Sequence, residues 1–215
     1  MPFPFVILFE AACLVFSILF LANKKVGWWR AFIAFLLLTV CVETAAYAIV
    51  VLSHRTKSNH WLHNLFLPVE TVFTGWILYK ISITYFNSKP WTLTGLAVFF
   101  FLYFYESIRS GFTEYSILAN SMASVWIIIM CCLYYYYLLK QDEYITITKH
   151  AAFWIVAGCF FFYFGTTACN LFYIYLESIN IKQKIPIRFF IFAALNFIFY
   201  ASWSYAFLCK YRQTI

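Results

Sequence analysis

Long apolar stretches fill almost the whole chain, and only short polar segments separate them. We interpret seven of these stretches as membrane spans, at about residues 4–22, 27–52, 61–79, 91–105, 115–139, 151–176 and 188–208. A helix that crosses the hydrocarbon core of a bilayer needs about 20 largely apolar residues. Inside lipid the backbone must satisfy its own hydrogen bonds, which an α-helix does within one segment. The pattern therefore predicts an all-α, polytopic integral membrane protein built as a seven-helix bundle.

The composition excludes most soluble classes of protein. Of the 215 residues, 65% are hydrophobic and 11% are charged, whereas soluble domains average about 45–50% and about 25%. Because the segments between the spans are short, we expect a single transmembrane helical domain over residues 1–215 and no soluble domain. The net charge of +7 is distributed over short clusters at the ends of the spans, so we expect no nucleic-acid partner.

The distribution of Lys and Arg predicts the orientation, since cytoplasmic loops carry an excess of both. An outside N-terminus places nine basic residues on the cytoplasmic side and six on the outer side. The cytoplasmic set is Lys24, Lys25, Arg30, Lys80, Lys89, Lys140, Lys149, Lys210 and Arg212, and the outer set is Arg55, Lys57, Arg109, Lys182, Lys184 and Arg188. We therefore expect an N-out/C-in protein of the lipid bilayer, in a bacterial inner (cytoplasmic) membrane.

Acidic residues inside the predicted spans lie near one side of the membrane. A charged side chain at a helix centre costs about 2.5–3.5 kcal/mol on insertion scales, so each needs a reason. From the helical rise, Glu43 and Glu70 lie about 13 Å below the outer end of their helices and Glu10 about 9 Å below. Glu106 lies at the outer end of the fourth span. These carboxyls either lock helices together through hydrogen bonds or line a functional pocket, and both interpretations remain open.

Amides and tyrosines extend this outer polar layer. Asn120, Asn170 and Asn196 lie about 8–12 Å from the outer ends of the last three spans. Polar residues three or four positions apart share a helix face, which should point away from lipid. The predicted outward-facing pocket comprises Glu10, Glu43, Tyr47, His63, Asn64, Glu70, Glu106, Asn120, Asn170, Asn196 and Tyr200.

The segment 59–70 holds the densest group of polar residues. Asn59 is a candidate N-cap for the third span. Pro68 has no N–H to donate to the carbonyl of Asn64, so that carbonyl is left without its helical partner and a kink is expected. His60 and His63, with Glu70, form the one candidate metal set, but their spacing is more typical of hydrogen bonding at the interface. We expect no metal and no cofactor.

Three functions fit these features. The first is a sensing or binding protein that takes a small-molecule or lipid ligand in the outer pocket and relays to a separate cytoplasmic partner. The second is an intramembrane enzyme that acts on lipid head groups, with Glu43 or Glu70 as base and His63 assisting. The third is an oligomeric channel, transporter or membrane effector. A retinal photoreceptor is excluded because the last span holds no lysine, and an intramembrane zinc hydrolase because the last two spans hold no histidine.

Overall fold

The computed structural model describes residues 5–22, 24–52, 59–110, 116–141, 146–172, 175–176 and 187–213. All regular secondary structure within these ranges is helical, which confirms the all-α prediction. The α-helices are α1 (Phe5–Leu21), α2 (Ala31–Leu52), α3 (His60–Ser82), α4 (Lys89–Ser110), α5 (Ile117–Leu139), α6 (Ala151–Leu171) and α7 (Ile187–Arg212). Two short 3-10 helices, Lys24–Arg30 and Ile147–Lys149, precede α2 and α6.

Five helical segments in the described part of the chain are long and apolar enough to cross a membrane. They are Gly27–Leu52, Lys89–Arg109, Ile117–Leu139, Ala151–Leu171 and Ile187–Arg212. The protein is therefore a helical, membrane-embedded protein. At 17 residues α1 is shorter, and α3 interrupts its apolar run with polar residues such as Asn64 and Glu70. The count of seven spans and the N-out/C-in orientation remain predictions.

Several helix boundaries differ from the predicted ones, and those of the second, fourth and sixth helices differ by four or five residues. The α-helix of the second span begins at Ala31, because residues before it form a 3-10 helix in which Gly27 has φ 60° and ψ −131°. This backbone conformation favours glycine, since a Cβ would be strained there. The fourth helix extends to Ser110 rather than residue 105, and the sixth ends at Leu171 rather than residue 176. Apolar stretches mark where lipid is expected, whereas backbone hydrogen bonds decide where a helix stops.

The chain divides into two compact units. Residues 1–36 and 143–215 form the terminal unit, which contains α1, α6, α7 and the start of α2. Residues 37–142 form the central unit, which contains the rest of α2 with α3, α4 and α5. The interpretation of residues 1–215 as a single domain remains a prediction.

In the terminal unit, α7 packs against both α1 and α6. A Cβ added at Gly158 of α6 would lie 3.2 Å from the carbonyl oxygen of Phe199, so this glycine lets the two backbones approach closely. The fully buried Trp203 follows on α7, with its ring 4.4 Å from that of Phe199 and 5.0 Å from that of Phe32. Lipid supplies no hydrophobic drive for helix association, so close contacts between small and aromatic residues hold such helices together.

In the central unit, the indole of Trp126 on α5 packs against two glycines. A Cβ at Gly75 of α3 or at Gly95 of α4 would overlap this ring. The indole Nε1 donates a hydrogen bond to the carbonyl of Trp91 at 3.2 Å, which fixes the ring in the gap. Trp126 therefore joins α3, α4 and α5 through one buried side chain.

His150, which lies just outside the span of α6, gives this helix a pH-sensitive start. Its Nδ1 accepts a hydrogen bond from the backbone N–H of Phe153 at 3.3 Å. Burial lowers the pKa of His150 below its ordinary value of 6.5. The folded state therefore binds the proton less readily than the unfolded state does. The contribution of neutral His150 to the stability of the folded state is therefore complete above the ordinary pKa. It declines as the pH falls from the ordinary pKa toward the lowered pKa of the folded state.

Acidification from about pH 7.5 to about pH 5.5 is therefore expected to loosen the first turn of α6. A protonated imidazole can no longer accept the Phe153 N–H, and its charge opposes the positive end of the helix dipole. Hydrogen exchange of peptides that cover 150–156, corrected for intrinsic rates, should show lower protection at the lower pH. His150→Asn keeps a capping side chain without titrating in this range, and its protection should not change with pH. Equal pH dependence in both proteins would contradict this assignment.

Candidate ligand site

The proline of α3 leaves one carbonyl of that helix without its backbone donor, and a tyrosine hydroxyl donates to this carbonyl instead. The N–H that would bond to the carbonyl of Asn64 is missing because residue 68 is proline. The Tyr103 hydroxyl on α4 donates to this carbonyl at 3.1 Å. Tyr103 was not among the predicted site residues. Pro68 indicates that a donor is needed, but nothing in the sequence indicates which helix supplies it.

Asn64 and Glu106 bind the first turn of α5. Asn64 is fully buried. Its Oδ1 accepts a hydrogen bond from the backbone N–H of Ser116 at 3.1 Å. The two carboxylate oxygens of Glu106 accept from the N–H groups of Leu118 at 2.9 Å and Ala119 at 2.8 Å. The first N–H groups of a helix lack partners within it, so these side chains cap α5 from neighbouring helices. Both residues thus have a structural task that explains their presence.

Glu43 and His63 form a different kind of pair in the same unit. His63 Nδ1 lies 3.7 Å from Glu43 Oε1, and the side chains are 29% and 30% exposed, respectively. The other ring nitrogen, Nε2, lies 3.2 Å from the amide nitrogen of Asn59. An amide nitrogen only donates, so Nε2 is the acceptor and the proton of the neutral ring is on Nδ1, facing the carboxylate. This pair combines an acceptor and a donor on a partly open surface.

Asn59 holds the predicted N-cap position of α3, but its side chain makes no capping hydrogen bond. The amide contacts His63 instead. Asn59 therefore occupies the N-cap position as predicted, and it contacts the imidazole through its amide nitrogen rather than capping the helix through its amide oxygen. Asn59 thereby orients the imidazole of the Glu43–His63 pair.

The terminal unit contains its own polar contact between helices. The Tyr200 hydroxyl of α7 donates to Glu10 Oε1 of α1 at 3.1 Å. Glu10 is 2% exposed and Tyr200 is 7% exposed, so this contact lies inside the packing of the two helices. A hydrogen bond of this kind is a common link between helices in lipid.

The remaining predicted site residues make local contacts or lie at the surface. Asn120 accepts through its backbone carbonyl from Ser124, and Asn196 donates to the carbonyl of Phe192. Asn170 is exposed, and its Oδ1 accepts from Arg188 at 3.4 Å. Tyr47 is 40% exposed. Glu70 is half-buried on α3.

The predicted pocket draws on both units. Glu10, Asn170, Asn196 and Tyr200 belong to the terminal unit, and the other seven predicted residues belong to the central unit. One pocket that joins all eleven residues remains a prediction. Within the described ranges, no three His, Cys, Asp or Glu side chains come together in a group that could hold a metal ion.

Comparison of the chain with known protein families, with curated proteins and with solved structures finds no match. The class of protein therefore follows from the apolar helices alone, and any function must be argued from the residues of the site.

Proposed function

We propose that this protein binds a small polar or lipid-derived ligand within the membrane, at Glu43 and His63, and relays binding to a separate cytoplasmic partner. The observation that carries the proposal is the partly open carboxylate–imidazole pair between α2 and α3. Ionisable residues in membrane helices are costly and mark functional sites by default. Asn64 and Glu106 are accounted for by the capping of α5, whereas Glu43 and His63 keep close to a third of their surface open.

The chemistry of the pair indicates the class of ligand. A carboxylate accepts hydrogen bonds and attracts cations, and the Nδ1–H of His63 already faces it. A ligand that carries an ammonium group or a hydroxyl group would donate a hydrogen bond to Glu43. Such groups occur on small amines and on the head groups of lipids.

A route for the relay starts next to His63. Asn64 follows it directly in α3, and its carbonyl depends on the Tyr103 hydroxyl rather than on a helical N–H. A hydrogen bond from a side chain can be exchanged without unfolding the helix, so α3 can adjust at Pro68 when a ligand moves His63. We propose that this adjustment carries the signal toward the cytoplasmic side.

We also propose that α1 and α3 cross the membrane in addition to the five most apolar segments, which makes seven spans. The proposed orientation is N-out/C-in, in a bacterial inner membrane. The excess of Lys and Arg on the inner side supports this orientation. Labelling of Asn59→Cys by an impermeant maleimide in intact cells, with the seven native cysteines replaced by alanine, tests it, and protection of the new cysteine would contradict it.

Glu43→Gln is expected to weaken ligand binding by about 10- to 100-fold, which is the usual effect of losing one charge-assisted hydrogen bond. Small molecules and lipids that co-purify with the wild-type protein are identified by mass spectrometry and then titrated back in a thermal-shift assay. Cys41→Ala is the matched control, because Cys41 lies exposed on α2 only two residues from Glu43. The control should bind as the wild-type protein does.

Glu70→Gln separates this site from the wider layer predicted from sequence. Glu70 lies seven residues beyond His63 on α3, about 10 Å along the helix. Retained binding in Glu70→Gln with lost binding in Glu43→Gln supports the narrow site. Equal losses of ligand binding in both variants would indicate that the ligand contacts the wider polar layer predicted from sequence. Unchanged binding in Glu43→Gln would refute the proposal.

An intramembrane enzyme is the second candidate, and one observation favours it. The Nδ1–H of His63 faces a carboxylate, an arrangement that also orients catalytic histidines. Its Nε2 would be the proton acceptor, and Asn59 now contacts that atom. Turnover of phospholipid head groups in mixed micelles, lost in His63→Gln while binding persists, would favour the enzyme over the binding protein.

A further inference from the structure

A polar pocket of about 370 Å³ lies in the terminal unit, where α6 begins and α7 ends. Its lining residues are Thr148, Lys149, Tyr205, Cys209, Arg212 and Gln213. Both helices are membrane-length, with apolar segments Ala151–Leu171 and Ile187–Arg212. The pocket therefore lies at one end of the hydrocarbon layer, at the level of the lipid head groups.

Hydrogen bonds hold the pocket in shape before any ligand binds. The carbonyl of Thr148 accepts from the indole of Trp154 at 3.2 Å and from the Tyr205 hydroxyl at 3.4 Å. The side-chain amide of Gln213 donates to the carbonyl of Lys149 at 2.9 Å. The 3-10 helix that carries Lys149 is thus attached to both α6 and α7. Tryptophan and tyrosine at this position are typical of the membrane interface.

Two cationic side chains give the pocket its charge. Lys149 and Arg212 both line it and both are exposed. Lys210, near the same end of α7, instead places its Nζ 5.8 Å from the centre of the Trp29 ring. An ammonium and a guanidinium beside hydroxyl and amide donors form the kind of set that binds a phosphate group.

An apolar groove of about 350 Å³ shares one wall with this pocket. The groove runs between α1 and α7, and Phe16, Ala201 and Leu208 are among its lining residues. Tyr205 lines both the groove and the polar pocket. A molecule with its phosphate beside Lys149 and Arg212 can therefore extend an acyl chain past Tyr205 into the groove.

We propose that this pocket binds the head group of an anionic phospholipid, with Lys149 and Arg212 holding the phosphate and the α1–α7 groove taking an acyl chain. The site lies in a different unit from Glu43 and His63 and does not depend on the function proposed above. The polar pocket alone could bind any phosphate ester. We favour a phospholipid over free phosphate because the adjoining groove can take an acyl chain.

The test is a titration of the full-length protein in detergent, followed by native mass spectrometry. The probes are long-chain phosphatidylglycerol, phosphatidylcholine of the same chain length, and inorganic phosphate. The Lys149→Gln/Arg212→Gln double variant should bind phosphatidylglycerol about 30-fold more weakly than the wild-type protein. Lys210→Gln removes one positive charge near the same end of α7, outside the pocket, and should bind normally. Lys149→Arg/Arg212→Lys keeps both charges and should retain most of the affinity.

Preference for phosphatidylglycerol over phosphatidylcholine, lost in the double variant and kept in Lys210→Gln, would support the site. Ala201→Phe fills the groove and should weaken binding of long-chain lipid while sparing a dihexanoyl analogue. Equal binding of both lipids, or an equal loss in Lys210→Gln, would overturn the proposal. Displacement of the lipid by inorganic phosphate at matched concentration would also overturn it, since the pocket would then bind phosphate without the chain.

Discussion

Replacement of Gly95 by alanine is expected to destabilise the central unit by about 1–3 kcal/mol, or roughly 2–12 °C in thermal midpoint. In a helix, alanine is intrinsically more favourable than glycine by about 1 kcal/mol. Helix propensity alone would therefore make Gly95→Ala stabilising. The loss arises because the new Cβ overlaps the Trp126 indole. That ring cannot move away, since it also packs on Gly75 and donates to the carbonyl of Trp91.

Thermal unfolding in detergent, followed by intrinsic fluorescence, measures the effect of Gly95→Ala. The matched control is Ala97→Leu, which adds volume to an exposed position two residues along the same helix. This control should leave the midpoint nearly unchanged. Trp126→Ala removes the ring that the new Cβ would overlap, so in that background Gly95→Ala should stabilise the helix by up to about 1 kcal/mol. If Gly95→Ala lowered the midpoint equally with and without Trp126, the ring would not be the cause.

Replacement of Glu106 by alanine is expected to lower stability by about 2 kcal/mol. The substitution removes both acceptors from the N–H groups of Leu118 and Ala119 at the start of α5. It also removes a negative charge from the positive end of the helix dipole. The first bond lies at an exposed position and the second is partly buried, so the loss falls below that of two fully buried bonds.

Hydrogen exchange localises the effect of Glu106→Ala. Amides of residues 118–121 should lose protection before the rest of α5 does. Glu106→Gln keeps one oxygen acceptor and should retain about half of the stabilisation. A uniform loss of protection along α5, or full stability of Glu106→Ala, would show that the carboxylate does not act as a cap.

The class of protein could be predicted from the sequence because each segment in lipid must satisfy its own backbone hydrogen bonds, whatever the rest of the fold is. Each apolar stretch needs a helix whatever its neighbours are. The proline of α3 was informative in the same way, since its missing N–H leaves the Asn64 carbonyl without a helical partner in any fold. Five apolar helices follow directly, and the two more polar or shorter ones, α3 and α1, are where the prediction of spans stays open.

The roles of the polar residues could not be predicted, because they depend on which helices are neighbours. Glu43, Glu70 and Glu106 look alike in the sequence. Only the packing makes Glu106 a cap for α5, where two backbone N–H groups reach it. The same applies to Tyr103, one of 17 tyrosines, which reaches the Asn64 carbonyl.

The long apolar stretches by themselves determined a helical protein embedded in a membrane, since satisfying the backbone in lipid requires no knowledge of tertiary contacts. Tertiary structure alone decided how the polar residues within the helices are used. It assigned Asn64 and Glu106 to helix capping and Glu10 to a contact between helices, and it left Glu43 beside His63 on a partly open surface. The reason is physical, because a hydrogen bond forms only over about 3 Å, and distances between helices on that scale are set by packing.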